Sequence, residues 1–340
     1  MKPMMEICDL AKWYPHRGKK LSDIFRRQKD FIKAVDGVSL SIESGEILGV
    51  IGESGCGKST MGRLITRLEE PSHGDVLIQG ESTAELLKRD PLQFRRKVQI
   101  VFQNPFDTFT PRDTIRKILL RPLKHHKIGE NEEERLAIIR EALSHEGLVP
   151  VEDILDRYPH ELSGGQLQRI SIIRAMFLKP RIVVADEPVS MLDVSVRADI
   201  INALEVLARE EGASVIFISH DIALTRYLAD HVAVMYLGRI VEYGQADEVV
   251  KTPAHPYTEA LISNCASIDP LEKREIIPIE GEPPTPLNPG PGCYFAPRCT
   301  YATDQCRKAY PPETEVANGH RACCWRLSNS GDLQGSSCIE

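Results

Sequence analysis

The chain has 340 residues, 42 Lys and Arg against 49 Asp and Glu for a formal net charge of −7, and 42% hydrophobic residues. That is length for about two to three globular domains with an ample core, and the mildly acidic total speaks against a general nucleic-acid binder. No apolar run reaches the length of a membrane span, and Met1-Lys-Pro-Met-Met-Glu-Ile lacks the apolar centre of a signal peptide, so the expectation is a cytoplasmic chain that does not itself cross a membrane.

In chain order, the basic segment His16–Lys33 reads as a solvated insertion. Residues 34–69 then read as apolar stretch, Gly-rich turn and helix. Ile47–Ile51 is a strand, and Gly52-Glu-Ser-Gly-Cys-Gly-Lys-Ser-Thr60 fits the phosphate-loop pattern between strand and helix. Gly52, Gly55 and Gly57 let the backbone curl so that N–H groups along Glu53, Ser54, Cys56 and onward to Thr60 face a phosphate, with the helix dipole behind them. Lys58 would reach the β- and γ-phosphates and the Ser59 hydroxyl would ligate Mg²⁺. Cys56 reads as a small residue filling the loop.

A strand over Val98–Phe102 leads to Gln103, and a more polar stretch from 107 to 160 carries a predicted helix, Glu132 to Gly147, with Leu136, Ile138, Ile139, Ala142 and Leu143 at helical spacing. In Leu162-Ser-Gly-Gly-Gln166, Ser163, Gly164 and Gly165 can open a helix that offers bare N–H groups and a hydroxyl to an anion. Segments 181–187 and 214–219 are short continuous apolar runs, suited to buried parallel strands of an α/β sheet. Asp186 ends the first at the sheet's carboxyl edge, where it can hold Mg²⁺. Glu187 is expected on the other side of an extended chain, placed to polarise a water. Residues 232–243 alternate around Gly238 as a β-hairpin.

From about 281 the text changes: eight prolines and six of the nine cysteines fall in sixty residues. Such a tail cannot build an aliphatic core and needs a staple. Cys293-x5-Cys299-x6-Cys306-x17-Cys324 offers four thiolates, which suit an iron–sulfur cluster or Zn²⁺; no Cys-x2-Cys pair is present, which weakens the zinc reading. Cys8, Cys265 and Cys338 receive no task.

In order and spacing the phosphate loop, Gln103, Leu162–Gln166, Asp186-Glu187, Ser190-Met-Leu-Asp193 and His220 resemble the ATP-binding cassette ATPases of ABC transporters, over residues 6 to about 250. The resemblance implies an α/β, P-loop NTPase fold of ABC-type ATPase with RecA-like core, antiparallel β subdomain and helical subdomain (about 107–175), followed over 251–340 by an extension with the cysteines at about 290–326. It implies that Ser163, Gly164, Gly165 and Gln166 complete the ATP site of an opposing cassette, that Asp193 crosses the dimer interface, and that Gln103 links the Mg²⁺ and water shell to the membrane partner. His220 resembles the switch histidine that contacts the γ-phosphate and orients Glu187. Tyr14 is the candidate for stacking on adenine and Trp13 its rival.

Gly238–Gly244, His255-Pro-Tyr-Thr258, Gly281–Pro289 and Gly292-Cys-Tyr-Phe-Ala-Pro-Arg-Cys299 resemble the oligopeptide/dipeptide importer ATPases, and the insertion before the phosphate loop resembles the second, F-type-like of their two paralogues. Asp107-Thr-Phe-Thr-Pro departs from the usual continuation after Gln103-Asn-Pro-Phe, on the surface expected to face the permease. In that family the four cysteine positions match ligands of a [4Fe–4S] cluster, the last lying four residues after a histidine, here His320, which selects Cys324 over Cys323. The implied partners are two transmembrane permeases, a paralogous cassette or a second copy, and indirectly an extracytoplasmic peptide-binding protein, at the cytoplasmic face of the membrane. The alternatives are another cargo (nickel, an opine, a glycoside), a non-transport ABC ATPase, and a tail that senses iron or redox state.

Overall fold

A computed structural model describes residues 2–16, 30–190, 192–265, 276–279, 281–317 and 319–328. Most of the basic insertion, Met191 and Cys338 lie outside the described residues. Strands β1 (Met5–His16), β2 (Asp30–Ile42) and β3 (Ile47–Ile51) precede α1 (Lys58–Ile65). β4 (His73–Ile78), β5 (Glu81–Ser82), α2 (Thr83–Arg89), α3 (Pro91–Lys97) and β6 (Val98–Val101) follow. A run of helices, α4 (Ile115–His125), α5 (Glu132–His145), α6 (Val151–Asp156) and α7 (Gly164–Met176), leads to β7 (Ile182–Asp186), α8 (Val194–Arg209) and β8 (Ser214–Ile218). Next come α9 (Ile222–Leu228), β9 (His231–Tyr236), β10 (Arg239–Gln245), α10 (Ala246–Lys251) and α11 (Pro256–Ser263), then α12 (Asp304–Lys308), β11 (Thr314–Ala317), β12 (His320–Ala322) and α13 (Trp325–Ser328).

The chain forms two compact units. The first comprises Met1–Cys8, Ser39–Leu48 and Met61–Ser219. In it β6, β7 and β8 pair in parallel, Val98 against Ile182 and Ile182 against Ser214. Every residue of β7 and β8 is buried, which is why these strands read as unbroken apolar runs rather than alternating ones. A separate helical core joins Leu119 of α4, Ile139 and Leu143 of α5, Ile154 of α6 and Ile170 of α7. The helix predicted to reach Gly147 is α5. Asn131 caps it by accepting the Glu134 N–H, and three glutamates in its first turn face the positive end of the dipole. It stops at His145 because Gly147 turns left-handed and the Leu148 N–H folds back onto the Leu143 carbonyl.

The second unit comprises Asp9–Val38, Gly49–Thr60 and His220–Glu340. The expected hairpin is β9 and β10, joined by Leu237 and Gly238 at φ of 43° and 85°. Two positive φ values in a two-residue turn match the right-handed twist of the paired strands. The proline- and cysteine-rich tail is not free-standing: β12 adds to the outer edge of β10, Glu242 opposite Ala322, and β11 adds to β12. Its scarcity of aliphatics is met by aromatic packing, with Tyr236, Tyr257 and Phe295 in mutual contact at centroid distances of 4.7 to 5.3 Å.

Beneath this sheet Glu242 is a fully buried carboxylate that accepts three hydrogen bonds, from the N–H groups of Ala254 and His255 and from His320 Nε2 at 2.7 Å. His255 is itself buried and its Nδ1 accepts the Tyr257 N–H, capping α11. Burial pushes the His255 imidazole down to about 4, against partial relief from Glu242. A histidine held neutral in the folded state contributes stability above its unfolded value near 6.5, and that contribution is lost as pH falls through about 4. Denaturant titrations between pH 7 and 4 should therefore show a loss of up to about 3 kcal/mol that His255→Asn, which keeps a cap acceptor, does not show. Identical profiles for the two proteins would contradict this account.

Candidate functional site

In the second unit the phosphate loop is shaped by contacts that leave no room for side chains. Gly52 (φ 149°) presses on the Met235 carbonyl and Gly57 (φ 111°) on the Ala34 carbonyl, each so closely that a Cβ would overlap the oxygen. The Gly238 N–H donates to the Cys56 carbonyl at 2.7 Å, tying the loop to the hairpin turn. Lys58 is buried and its ammonium donates to the carbonyls of Gly52 and Glu53 at 2.7 and 3.0 Å. Ser54 and Gly55 are exposed, and Ser59 and Thr60 are half-buried at the start of α1.

Glu53 is differently engaged. Its N–H donates to the Tyr257 hydroxyl at 2.8 Å, and its carboxylate accepts both terminal nitrogens of Arg298, at 2.6 and 3.0 Å. The sequence reading had no role for Arg298 or Tyr257. The available signal was an acidic side chain inside a loop meant for phosphate, which needs a cation from elsewhere.

On β1, the Trp13 indole N–H donates to Asp36 at 3.0 Å, with the Lys33 ammonium 4.8 Å from the ring centroid. Tyr14 is half-buried with the Lys12 ammonium 5.3 Å from its centroid. Asp36 also accepts from Tyr294, Arg239 and Lys33. Burial opposes its charge, but these hydrogen bonds and the Arg239 charge outweigh burial and hold its carboxyl below the usual range.

In the first unit Asp186 ends β7 and is buried. Glu187 does not continue the strand as expected. Its φ is 46°, and its N–H turns to the Ile218 carbonyl at the end of β8, 2.9 Å away. That bond is the last of the β7–β8 ladder, with Asp186 standing opposite Ile218, and the left-handed backbone at Glu187 ends the strand there. Gln103 Nε2 donates to the Glu187 carboxylate at 2.9 Å and lies 3.3 Å from Ser190 Oγ, which donates to the Glu187 carbonyl at 3.1 Å. Ser163 caps α7 reciprocally with Gln166, as the Ser-Gly-Gly pattern required. Gly165 is packed against Val196, where a Cβ would not fit, while Gly164 faces open space. Asp193 begins α8 with its side chain exposed. In the second unit, His220 is exposed immediately before the helix cap Asp221.

The four candidate cysteines of the tail line one cavity of about 320 Å³, together with Phe295 and Trp325; Cys323 does not line it. Cys324 is buried and Cys293 and Cys299 are half-buried. Burial raises these thiols, Cys293 to about 11, so a metal or cluster would have to displace their protons. Among the described residues no three His, Cys, Asp or Glu side chains are grouped closely enough to hold a single metal ion. Four cysteine sulfurs lining one cavity are a set of soft donors.

Residues 35–190 match the family model described as ABC transporter, and residues 241–306 the one described as oligopeptide/dipeptide transporter, C-terminal region. The dipeptide transport ATP-binding protein DppF of Escherichia coli is 44% identical over 98% of this chain and 97% of its own. The oligopeptide transport ATP-binding protein AppF of Bacillus subtilis is 42% identical over 94% of this chain and 96% of its own. Among solved structures, the ATP-binding cassette MJ0796, in a dimeric post-hydrolysis state bound to ADP and Pi, is 30% identical with a TM-score of 0.62, covering 72% of this chain and 99% of its own.

The loop geometry separates two glycines that look alike in sequence. Gly57→Ala should abolish binding of a fluorescent ATP analogue, because its Cβ collides with backbone. Gly55→Ala, with open space around it, should cost only the roughly 1–2 kcal/mol of a left-handed alanine and keep measurable binding. Equal losses in the two would refute this reading of the loop.

Proposed function

This chain belongs to the family of oligopeptide and dipeptide ABC-transporter ATP-binding proteins, and from that premise we propose that it hydrolyses ATP to drive import of di- and oligopeptides through separate membrane permeases. The observation that carries the reading is the hydrogen bond between Gln103 and Glu187. The residue assigned to the permease side touches the carboxylate assigned to the attacking water, so chemistry and transport have a shared contact.

Hydrolysis of this kind needs positioning and charge neutralisation more than covalent chemistry. The loop from Gly52 to Thr60 holds the phosphates, with Lys58 exchanging its loop carbonyls for phosphate oxygens. Glu187 orients the water, with His220 at the γ-phosphate. Ser59, Asp186 and Gln103 would hold Mg²⁺ through the hard oxygen donors it prefers, and the ion would supply charge neutralisation to the phosphates. Tyr14 would stack on adenine, with Trp13 as its rival. The exposed Ser163 end of α7 and Asp193 face a second cassette, a paralogue or a second copy, and complete its ATP site.

A cavity of about 430 Å³ in the first unit, lined by Thr108, Phe109, Arg121, His125 and Arg174, supports a permease contact on this surface, where residues 107–111 depart from the family pattern. No helix among the described residues is long and apolar enough to cross a membrane, and we place the protein peripherally at the cytoplasmic face of the permeases. We divide the chain into an ATPase domain over 1–250 and an extension over 251–340. Cys293, Cys299, Cys306 and Cys324 would hold a [4Fe–4S] cluster whose contribution is a crosslink in a tail short of aliphatics.

Glu187→Gln should keep nucleotide binding and lose steady-state ATP hydrolysis by several orders of magnitude; normal turnover in that variant excludes the assigned role. Protein purified anaerobically should be coloured and carry about four irons and four sulfides per chain. Cys324→Ser should lose them and Cys323→Ser should not. A colourless, iron-free wild type with a normally folded tail would end the cluster reading and leave the ATPase reading intact.

A further inference from the structure

Glu53 is a carboxylate inside a loop that must receive a polyanion, and an unneutralised carboxylate there repels phosphate. The neutralising partner is Arg298, 245 residues away in sequence and with its side chain only 7% exposed. The pair is a two-bond fork, the geometry that fixes orientation as well as charge. Arg298 is held from behind by the Gly281 carbonyl at 2.8 Å and the Tyr236 hydroxyl at 3.4 Å, so it is a rigid strut and not a waving surface cation.

Its place in the chain gives the strut a second connection. Arg298 immediately precedes Cys299, whose thiol lines the tail cavity. At the other end of the same short loop, Tyr294 follows Cys293, and its hydroxyl donates to Asp36 at 2.7 Å. Asp36 in turn holds the Trp13 indole on β1. The loop between the first two cysteines thus touches the phosphate loop with one end and the carboxylate that fixes β1 with the other.

We propose that Arg298 is a positioning residue of the nucleotide site, acting through Glu53, and that it ties ATP affinity to the conformation of the Cys293–Cys299 loop. The proposal rests on the ATP-binding function above and adds the cysteine loop as a determinant of that binding. Coupling of this kind is reciprocal, so nucleotide binding also steadies the cysteine loop.

The test is equilibrium binding of a fluorescent ATP analogue to the full chain, without turnover. Arg298→Ala should raise Kd by about tenfold, and Arg298→Lys should recover part of the loss as a point charge without the fork. Glu53→Gln added to Arg298→Ala should restore part of the affinity by removing the stranded carboxylate, an effect that a merely structural arginine does not produce. Cys299→Ser should weaken binding in the wild-type background and add nothing to Arg298→Ala. Unchanged Kd in Arg298→Ala, or strict additivity of either pair, overturns the proposal. Should Arg298→Ala fail to fold, Arg298→Gln takes its place in both cycles. A wild type that does not bind the analogue overturns the ATPase reading instead, so the two failures are distinguishable.

Discussion

A loop that binds phosphate through its backbone must keep N–H groups out of regular secondary structure, and such a backbone has no preferred shape of its own. The shape of residues 52–57 is imposed from outside. The Ala34 carbonyl of β2 crowds Gly57, the Met235 carbonyl of β9 crowds Gly52, the Gly238 N–H of the hairpin turn holds the Cys56 carbonyl, and the Tyr257 hydroxyl of α11 receives the Glu53 N–H. Arg298 supplies an ionic brace. The tight turn between β9 and β10 and the docking of α11 and the tail therefore have a common physical consequence. Each removes a freedom from a loop that cannot remove it for itself.

The first unit meets a related problem at Glu187. Strands buried on both faces expose polar chemistry only where they end, and Asp186 is such an end. Glu187 goes further, into a left-handed conformation that costs a non-glycine residue about 1 kcal/mol or more. The Ile218 carbonyl holds its N–H and Gln103 holds its carboxylate, so the strain is stabilised at two points.

Features encoded by neighbouring residues were readable without a structure. The strand–turn–helix of the phosphate loop, the buried parallel strands, the hairpin at Gly238 and helix α5 all follow from periodicity, turn residues and caps within a few positions of one another. What was not readable depends on separation. Glu53 and Arg298 stand 245 residues apart, Asp36 collects donors from Trp13, Lys33, Arg239 and Tyr294, and Glu187 meets Gln103 across 84 residues. No local pattern announces any of these. The cysteines that line the tail cavity stood out in the sequence because they are dense, whereas the tail's attachment to the edge of β10 did not, since β11 and β12 are short and weakly patterned.

The choice between Cys323 and Cys324 shows how a spacing rule becomes a physical one. His320 is buried where β12 meets β10, its Nε2 bound to the buried Glu242. From there burial alternates: His320, Ala322 and Cys324 are buried, while Arg321 and Cys323 are half-buried. The Cys323 N–H still donates to the Val241 carbonyl, so the extended pairing with β10 persists to this point. An extended chain returns a side chain to the same face every second residue. The fourth residue after the histidine is therefore carried to the inward side and the third is not, which is why Cys324 lines the cavity and Cys323 does not. The Glu242–His320 contact thus sets more than the register of a short strand. It decides which of two adjacent sulfurs the cavity receives.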